Sequence, residues 1–301
     1  FMPITMVNWP LRTRLRQWCL GIAIVFLAVG SPAQIDELDG YLQSYVDDGK
    51  VPGAVVLVSH RGDLIHEGVY GFRDPEAGAA MKKDTIFRIA SQTKAIVSVA
   101  VMQLQDDGRL LIDEPVGRYI PAYMDTTVAT ADGEGGYTVE AAERPITIRD
   151  LLTHTAGIDY GNGPAAEAWQ AAGIQGWYFA HREEPILATV EKIATLPQAA
   201  QPGERFVYGY NTDILGALVE VVSGQPLDEY LAEHLFEPLG MRDTHFFLPK
   251  RKRDRLAVVY STGNDGGLSR TPDVSAMVGQ GAYVEGPRTS FSLSLIHISE
   301  P

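Results

Sequence analysis

The chain is poor in cysteine, has no surplus of basic residues and carries no long apolar run. Cys19 is the only cysteine among 301 residues, which excludes a disulfide framework and a cysteine-based metal site. A net charge of −13 leaves no basic surface for nucleic acid. Walker and Rossmann glycine loops are absent, and so is the Gly-x-Ser-x-Gly elbow of α/β-hydrolases. What remains is the composition of a soluble globular protein, 45% hydrophobic and 21% charged.

The N-terminus has the pattern of an export signal. Three arginines between residues 12 and 16 precede an apolar run at 18–29, and Ser-Pro-Ala follows at 31–33. We therefore predict a signal peptide over residues 1–33 and a periplasmic or secreted protein. The apolar run is shorter than the ~20 residues of a spanning helix, so no stable membrane span is expected after cleavage. Without cleavage, the segment would remain as an N-terminal membrane anchor.

The first part of the mature chain predicts a helix followed by a strand pair. Apolar residues at helical spacing predict a helix over residues 35–48. Two β-branched runs, 54–60 and 64–70, flank an Arg-Gly-Asp turn and predict a hairpin. We expect an antiparallel sheet covered by a helix.

Further helices are predicted downstream. Residues 91–106 form the strongest one, and the spacing assigns its apolar side to Ala95, Val99, Met102 and Leu104. A short helix is predicted to begin at the cap Thr147 and end before Gly157. The other predicted segments are helices at 212–223 and 227–235, a loop at 126–143 and a solvated basic turn at 250–255.

Ser91 and Lys94 are the candidates for chemistry. A serine hydroxyl is a weak nucleophile unless a nearby base takes its proton. Residues three apart share a helix face, so the Lys94 amine can fold back towards the Ser91 oxygen. At a helix N-terminus, the Ser91 N–H would also be free to bind a developing oxyanion. The spacing alone is more typical of a capping serine followed by a solvent-facing lysine.

Four sequence blocks, in the same order as in a known family, add to the evidence from the Ser-x-x-Lys spacing. They are FRIASQTK at 87–94, TIRDLLTHTAG at 147–157, PGERFVYGYNTDILG at 202–216, and LFEPLGM at 235–241 followed by Asp243-Thr244. Together they resemble the family VIII carboxylesterases and the related class C β-lactamases. The resemblance covers residues 50 to 292.

The resemblance implies a fold and a reaction. The expected fold is α/β (α+β), β-lactamase/transpeptidase-like: an antiparallel sheet flanked by helices, with an inserted helical domain. The domain would span residues 34–292, with its helical part at about 116–250. The implied reaction is acyl transfer through an acyl-enzyme on Ser91, with Lys94 and Tyr208 as the other catalytic residues. A Tyr208 phenolate would take the serine proton and return it to the leaving group.

The sequence also departs from the β-lactamase pattern. Those enzymes usually have Tyr-x-Asn, whereas this chain has Tyr208-Gly209-Tyr210. Tyr210 lacks the paired donor and acceptor of an amide, although it occupies the substrate-binding position. We therefore predict a carboxylesterase acting on short-acyl esters. A β-lactamase, a D-amino peptidase or carboxypeptidase, and a catalytically silent cell-wall peptide-binding protein remain as alternatives.

No metal or organic cofactor is implied, and the expected partner is a small ester or amide substrate. His154 is interpreted as a structural histidine. His181 with Glu183 and Glu184 lacks a second histidine at a zinc-enzyme spacing, so an exposed helix start is the preferred interpretation.

The C-terminus departs from the family. Members carry a third catalytic element, a strand with Lys-Thr-Gly, His-x-Gly or Trp-Gly-Gly. Residues 283–292 resemble the segment that leads to it, but the match stops at Leu293. We therefore interpret 293–301 as a non-native tail and the chain as a fragment lacking C-terminal strands. As a fragment it is expected to be poorly stable and nearly inactive.

Overall fold

The computed structural model describes residues 32–174, 184–264, 266–271 and 295–297. The fold is mixed α/β, with antiparallel strand pairs and a helical core. In chain order, its helices are α1 Pro32–Asp47, α2 Thr93–Asp106, α3 Ile148–Leu152, α4 Ala166–Ala171, α5 Ile186–Ala194, α6 Asn211–Ser223 and α7 Leu227–Leu231. Its strands are β1 Gly53–His60, β2 Asp63–Asp74, β3 Ala79–Ala80, β4 Phe87–Ala90, β5 Thr127–Ala131, β6 Tyr137–Ala141, β7 Tyr260–Thr262, β8 Leu268–Arg270 and β9 Leu295–His297.

The predicted hairpin is confirmed as β1–β2. The strands pair antiparallel, and the register closes on His60 opposite Asp63. Arg61 and Gly62 form the two-residue turn with φ of 53° and 91°. Two positive φ angles match the right-handed twist of the flanking strands, which is why glycine is favoured there. Strand β3 adds to β2 and completes a three-stranded sheet, and α1 packs against β2.

The core lies in the helical region. Helix α6 is buried along nine consecutive residues, from Asn211 to Val219, and α2, α5 and α7 pack around it. It ends at Gly224, which adopts φ 75° in the left-handed region that glycine enters without steric cost. Helix α3 begins with the predicted cap: the Thr147 and Asp150 side chains each accept the other residue's backbone N–H.

The apolar face predicted for α2 is wrong at three of its four positions. Val97, Ala100, Val101 and Leu104 are buried, whereas Ala95, Val99 and Met102 are exposed. The helix is apolar on two neighbouring stripes, and its packing against α6 selects the stripe at 97, 100, 101 and 104. The helix also begins at Thr93 rather than at Ser91.

The predicted loop at 126–143 is a second hairpin, β5–β6. Its glycines are concentrated in the five residues at 132–136, and the flanks carry the β-branched residues that favour strands. Strand β5 is anchored by Gln198, whose N–H donates to Thr127 O and whose O accepts from Ala129 N–H, both at 2.8 Å.

The basic run is not a solvated turn. Residues Lys250–Arg255 form a 3-10 helix, and only 11% of the Lys252 side chain is exposed. Its ammonium lies 2.6 Å from Asp243, and the Arg255 guanidinium lies 2.8 Å from the same carboxylate. Burial alone would raise the pKa of Asp243, but hydrogen bonds from Arg255 and Lys252 and their charges outweigh it and hold the pKa below its ordinary value.

Candidate active site

Ser91 lies in the turn between β4 and α2. The preceding residue, Ala90, adopts φ 44°, a left-handed conformation that costs an L-residue roughly 1 kcal/mol. The Ser91 carbonyl accepts the Lys94 N–H at 3.1 Å, which closes the first turn leading into the helix. The hydroxyl is therefore presented on an exposed turn whose backbone is fixed by the helix that follows.

Lys94 contacts Ser91 as the spacing predicts. Its Nζ lies 3.3 Å from Ser91 Oγ, within hydrogen-bond distance. Lys94 belongs to the first turn of α2 and is half-buried. The structure thus brings together the two residues of the Ser-x-x-Lys motif.

Tyr208 reaches the same hydroxyl from a separate stretch of chain. Its O–H donates to Ser91 Oγ at 2.7 Å, and Lys94 Nζ lies 4.9 Å from the centre of its ring. Burial alone would raise the pKa of the phenol. Hydrogen bonds with Ser91 and Lys94, together with the lysine charge, outweigh that effect and hold the pKa below its ordinary value.

The aromatic ring of Tyr208 is not part of the core. It is 42% exposed, and its neighbour Phe206 is 65% exposed. The Phe206 and Tyr208 rings are nearly parallel, with centroids 6.4 Å apart. Both rings are therefore available to a ligand bound at Ser91.

Gly209 sets how closely the Tyr208 segment approaches the 158–160 segment. A Cβ at position 209 would lie 2.4 Å from Asp159 C and 2.5 Å from Ile158 O. These are backbone atoms that cannot swing aside, so only glycine fits. The close approach places the Tyr160 ring edge-on to Tyr208, with centroids 5.8 Å apart.

Tyr160 is a site residue that the sequence did not indicate. It is half-buried and also hydrogen-bonded to Tyr208, and burial raises its pKa. Nothing in its immediate sequence marks it, because it lies beyond the second sequence block and contacts Tyr208 only in the folded chain.

Tyr210 does not take the predicted substrate-binding position. Its side chain is fully buried, stacks on Trp169 with centroids 5.9 Å apart, and meets Tyr160 edge-on at 4.9 Å. A ring enclosed in this way contacts the core instead of a ligand. The predicted contact between Tyr210 and the substrate is therefore wrong: Tyr210 is a core residue that packs against Tyr160.

Asn211 does not supply the missing amide either. It is fully buried, and its Nδ2 donates to Ile158 O at 3.1 Å, Val207 O at 3.2 Å and His154 Nδ1 at 3.0 Å. With these contacts, its donor group is committed to the protein.

Asp213 is a buried carboxyl beneath the site. Burial raises its pKa to about 7, against the opposing effect of the Lys94 charge. Its Oδ1 is buried without a hydrogen-bond partner among the described residues. Its charge also acts on Tyr123 and Tyr160. In the sequence, Asp213 could have been singled out because it is an acidic residue inside the apolar run that forms α6.

Of the three residues considered as metal ligands, the structure describes only Glu184. His181 and Glu183 lie outside the described residues, and Glu184 accepts a hydrogen bond from Thr189 at 3.1 Å. Among the described residues, no group of three or more His, Cys, Asp or Glu side chains could hold a metal ion.

Residues 1–31 of the predicted signal and residues 283–292 before the predicted third element also lie outside the described ranges. Within those ranges, no helix has the length and apolarity to cross a membrane.

Comparisons with known proteins assign the family. The model of the beta-lactamase family matches residues 38–286. Esterase EstB of Burkholderia gladioli is 34% identical over 228 residues, which are 75% of this chain and 54% of the esterase. Lovastatin esterase of Penicillium rubens is 31% identical over 250 residues, 81% of this chain and 60% of that protein. This chain therefore spans somewhat more than half the length of these curated relatives.

A solved structure agrees in fold. EstCE1, described as a hydrolase with promiscuous acyltransferase activity, superimposes with a TM-score of 0.72 at 26% identity. The match covers 87% of this chain and 68% of EstCE1.

Proposed function

Since this chain belongs to the beta-lactamase family of serine hydrolases, we propose that it is a carboxylesterase that forms an acyl-enzyme on Ser91. The observation that carries the proposal is the convergence of two groups on one hydroxyl: Tyr208 OH at 2.7 Å and Lys94 Nζ at 3.3 Å from Ser91 Oγ. Short-acyl esters are the proposed substrates.

The proposed base is the Tyr208 phenolate. In the resting site the phenol donates to Ser91, and loss of its proton reverses the bond so that the oxygen accepts from the serine hydroxyl. The Lys94 charge favours the phenolate, which agrees with the lowered pKa of Tyr208. Ser91 Oγ then bonds to the ester carbonyl carbon, the phenol protonates the departing alcohol, and water later releases the acid.

Two features favour an esterase over an efficient β-lactamase. The side chain two positions after Tyr208 is the buried ring of Tyr210, and Asn211 is fully buried with its NH₂ group donating to protein acceptors. Neither residue offers a free amide to a β-lactam. The similarity to a relative named as an esterase, EstB of Burkholderia gladioli, supports the same choice.

Covalent labelling tests the nucleophile. We expect a fluorophosphonate to modify Ser91 in the complete protein and Ser91→Ala to abolish both the adduct and hydrolysis of nitrophenyl butyrate, by at least about 10³-fold in kcat. Ser98→Ala is the matched control, because Ser98 lies one turn after Lys94 in α2 and its hydroxyl donates to Lys94 O. An adduct on another serine would overturn the assignment, and no adduct would favour the silent binding protein.

The pH dependence tests the base. Rate should rise as Tyr208 loses its proton, so activity falls as pH decreases through the pKa of Tyr208. Lys94→Met removes a charge that lowers this pKa. We expect the acid side of the profile to move to higher pH, along with a loss in kcat. An unmoved profile would contradict the phenolate as base.

Substrate preference separates the alternatives. We expect much faster turnover of nitrophenyl butyrate than of nitrocefin, and the reverse ratio would make the protein a β-lactamase. A D-alanyl dipeptide ester and amide pair tests the peptidase alternative, which requires cleavage of the amide.

Acyl transfer to an alcohol is a second candidate activity. It is favoured by the fold match to EstCE1, whose description names acyltransferase activity. The exposed Phe206 and Tyr208 rings would shield an acyl-enzyme from water and bind an apolar acceptor. Adding a primary alcohol to the nitrophenyl butyrate assay should yield butyrate ester as well as butyrate, whereas butyrate alone would limit the protein to hydrolysis.

We also propose export, on the basis of the N-terminal sequence. The mature protein should begin directly after Ala33. N-terminal sequencing of the protein recovered from the host's periplasm or medium tests this, and an intact N-terminus in the membrane fraction would indicate the anchored form.

A further inference from the structure

His154 holds the Tyr208 segment at three points. Its carbonyl accepts the Val207 N–H at 2.7 Å, and its Nδ1 accepts from Asn211 Nδ2 at 3.0 Å. Its ring lies against the Tyr208 ring, with centroids 4.8 Å apart and planes at 30°. One residue therefore fixes the backbone on both sides of the phenol and contacts the phenol itself.

The backbone of His154 is strained into this arrangement. It adopts φ 56°, in the left-handed region that is uncommon for residues other than glycine, although histidine, asparagine and aspartate enter it more often than the rest. The residue follows the C-cap of α3, where the chain turns away from the helix. In this conformation the carbonyl and the imidazole reach the same segment, so the contacts compensate for the strain.

The hydrogen bonds define the proton on the ring. Asn211 Nδ2 also lies against two backbone carbonyls, Ile158 O and Val207 O, which accept only, so this end of the amide must be its NH₂. With the amide in this orientation, the 3.0 Å contact to His154 Nδ1 is a hydrogen bond only if Nδ1 is the acceptor. A neutral imidazole with Nδ1 as acceptor carries its proton on Nε2.

The surroundings keep the ring neutral. Burial, and then the positive charge of Lys94, lower the pKa of His154 to about 4, against a raising contribution from a hydrogen bond between the imidazole ring and the Val207 backbone. The titratable groups facing the ring are Lys94 from α2 and Tyr208 from the segment before α6. A protonated ring would place an N–H against the Asn211 NH₂ and lose the bond between them.

We propose that His154 is a positioning residue for Tyr208 and that it acts only as the neutral imidazole protonated at Nε2. This assignment rests on the proposed function, because the group it positions is the proposed base. It differs from the structural interpretation of the sequence in one respect: the acceptor at Nδ1 is needed for the proton transfer at Ser91, beyond any contribution to folding.

Nitrogen NMR tests the protonation state without reference to activity. Correlation of ring nitrogens with ring protons distinguishes the two tautomers, and the signals of His154 are those missing from His154→Asn. We expect the Nε2–H form, unchanged from pH 8 to pH 5. Titration near pH 6.5, or the Nδ1–H tautomer, would overturn the proposal.

Kinetics of two variants tests the positioning role. His154→Phe keeps an aromatic ring but removes the acceptor, and we expect kcat to fall on the order of 10²-fold with KM little changed. His154→Asn provides an acceptor oxygen and tolerates the left-handed backbone, so it should recover at least about tenfold of that loss. Thr153→Ala, at the exposed neighbouring position, is the control for local disturbance.

Asn211→Leu separates positioning from stability. It removes the donor while His154 remains, so it should lower kcat as His154→Phe does, and the double variant should show no further loss. Additive losses, or losses that follow the melting temperature across all variants, would reduce His154 to a structural residue. If wild type gives the expected nitrogen spectrum but neither turnover nor a Ser91 adduct, the proposed function fails and the positioning role with it, while the tautomer stands.

Discussion

The helical region and the three-stranded sheet are packed to different degrees. Helix α6 has nine consecutive buried residues, whereas β1 has only half-buried and exposed residues over its whole length. The proposed catalytic tyrosine lies three residues before the first residue of α6. Lys94 lies in the first turn of α2, which packs on α6, and Ser91 lies in the turn that precedes α2. The site thus depends on the well-packed region, because groups held to within hydrogen-bond distance need rigid support. The sheet contributes less to holding the site together.

The largest expected effect compares the packing of the two regions directly. Leu215→Ala in α6 removes a fully buried side chain and should lower the free energy of unfolding by about 2–5 kcal/mol. Val56→Ala, at a half-buried position of β1, should cost roughly 1 kcal/mol or less. Urea unfolding of both variants measures the difference, and equal losses would contradict it.

Within the well-packed region, the buried carboxyl of Asp213 is expected to lower the stability of the folded state, whereas the buried side chain of Leu215 raises it. The pKa of Asp213 is about 7 in the folded protein and lower when unfolded, so the folded state binds the proton more tightly and stability decreases as pH rises from 4 to 7. Asp213→Asn should remove this decrease and raise stability on the order of 2–4 kcal/mol at pH 8. Urea unfolding at pH 4 and pH 8 is the measurement. The gain should be near zero at pH 4, and a gain equal at both values would disprove the explanation.

Gly209→Ala tests whether the site itself is closely packed. The added methyl meets the Asp159 backbone at 2.4 Å, so the Tyr160 and Tyr208 segments must separate, at an expected cost of about 1–3 kcal/mol and most of the esterase activity. Gly40→Ala in α1 is the matched control, since nothing lies within 4 Å of its added methyl and alanine favours a helix. Retained activity in Gly209→Ala would show that the close approach is dispensable.

The smallest expected effect concerns the contact between α1 and the sheet. Tyr70 donates to Asp39 of α1 and lies 3.3 Å from His66 Nε2, and burial raises its pKa to about 12. Tyr70→Phe should lower stability by about 1 kcal/mol and leave kcat unchanged. Thermal melting and the nitrophenyl butyrate assay check the two parts. A loss of kcat would show that the sheet influences the site more than its packing suggests.

The sequence predicted what is carried by local patterns. Ser91 and Lys94 were placed together by helical spacing, and the helix cap at Thr147 and the β1–β2 hairpin follow from short motifs. These features depend on residues close together in the chain, whose geometry is set by the backbone of one element.

Features decided by long-range packing were predicted less well. The buried face of α2 depends on which apolar stripe meets α6, and the ion pairs of Lys252 depend on Asp243. Tyr160 joins the site only because Gly209 lets two segments approach. The match to the Tyr-x-Asn pattern aligned Tyr210 with a substrate-binding position. A sequence match gives no information on whether the side chain points to the substrate or into the core, and the ring of Tyr210 is buried in the core.

The β5–β6 hairpin offers a site at which the protein can be attached to a solid support. Its tip, residues 132–136, is exposed, and Asp132 closes it by accepting the N–H groups of Glu134 and Gly136, both at 2.9 Å. Exposed tips rich in glycine tolerate insertions well, and this hairpin contributes none of the three proposed catalytic side chains. A peptide tether inserted between Gly135 and Gly136 would allow immobilisation on a solid support while both chain termini stay free.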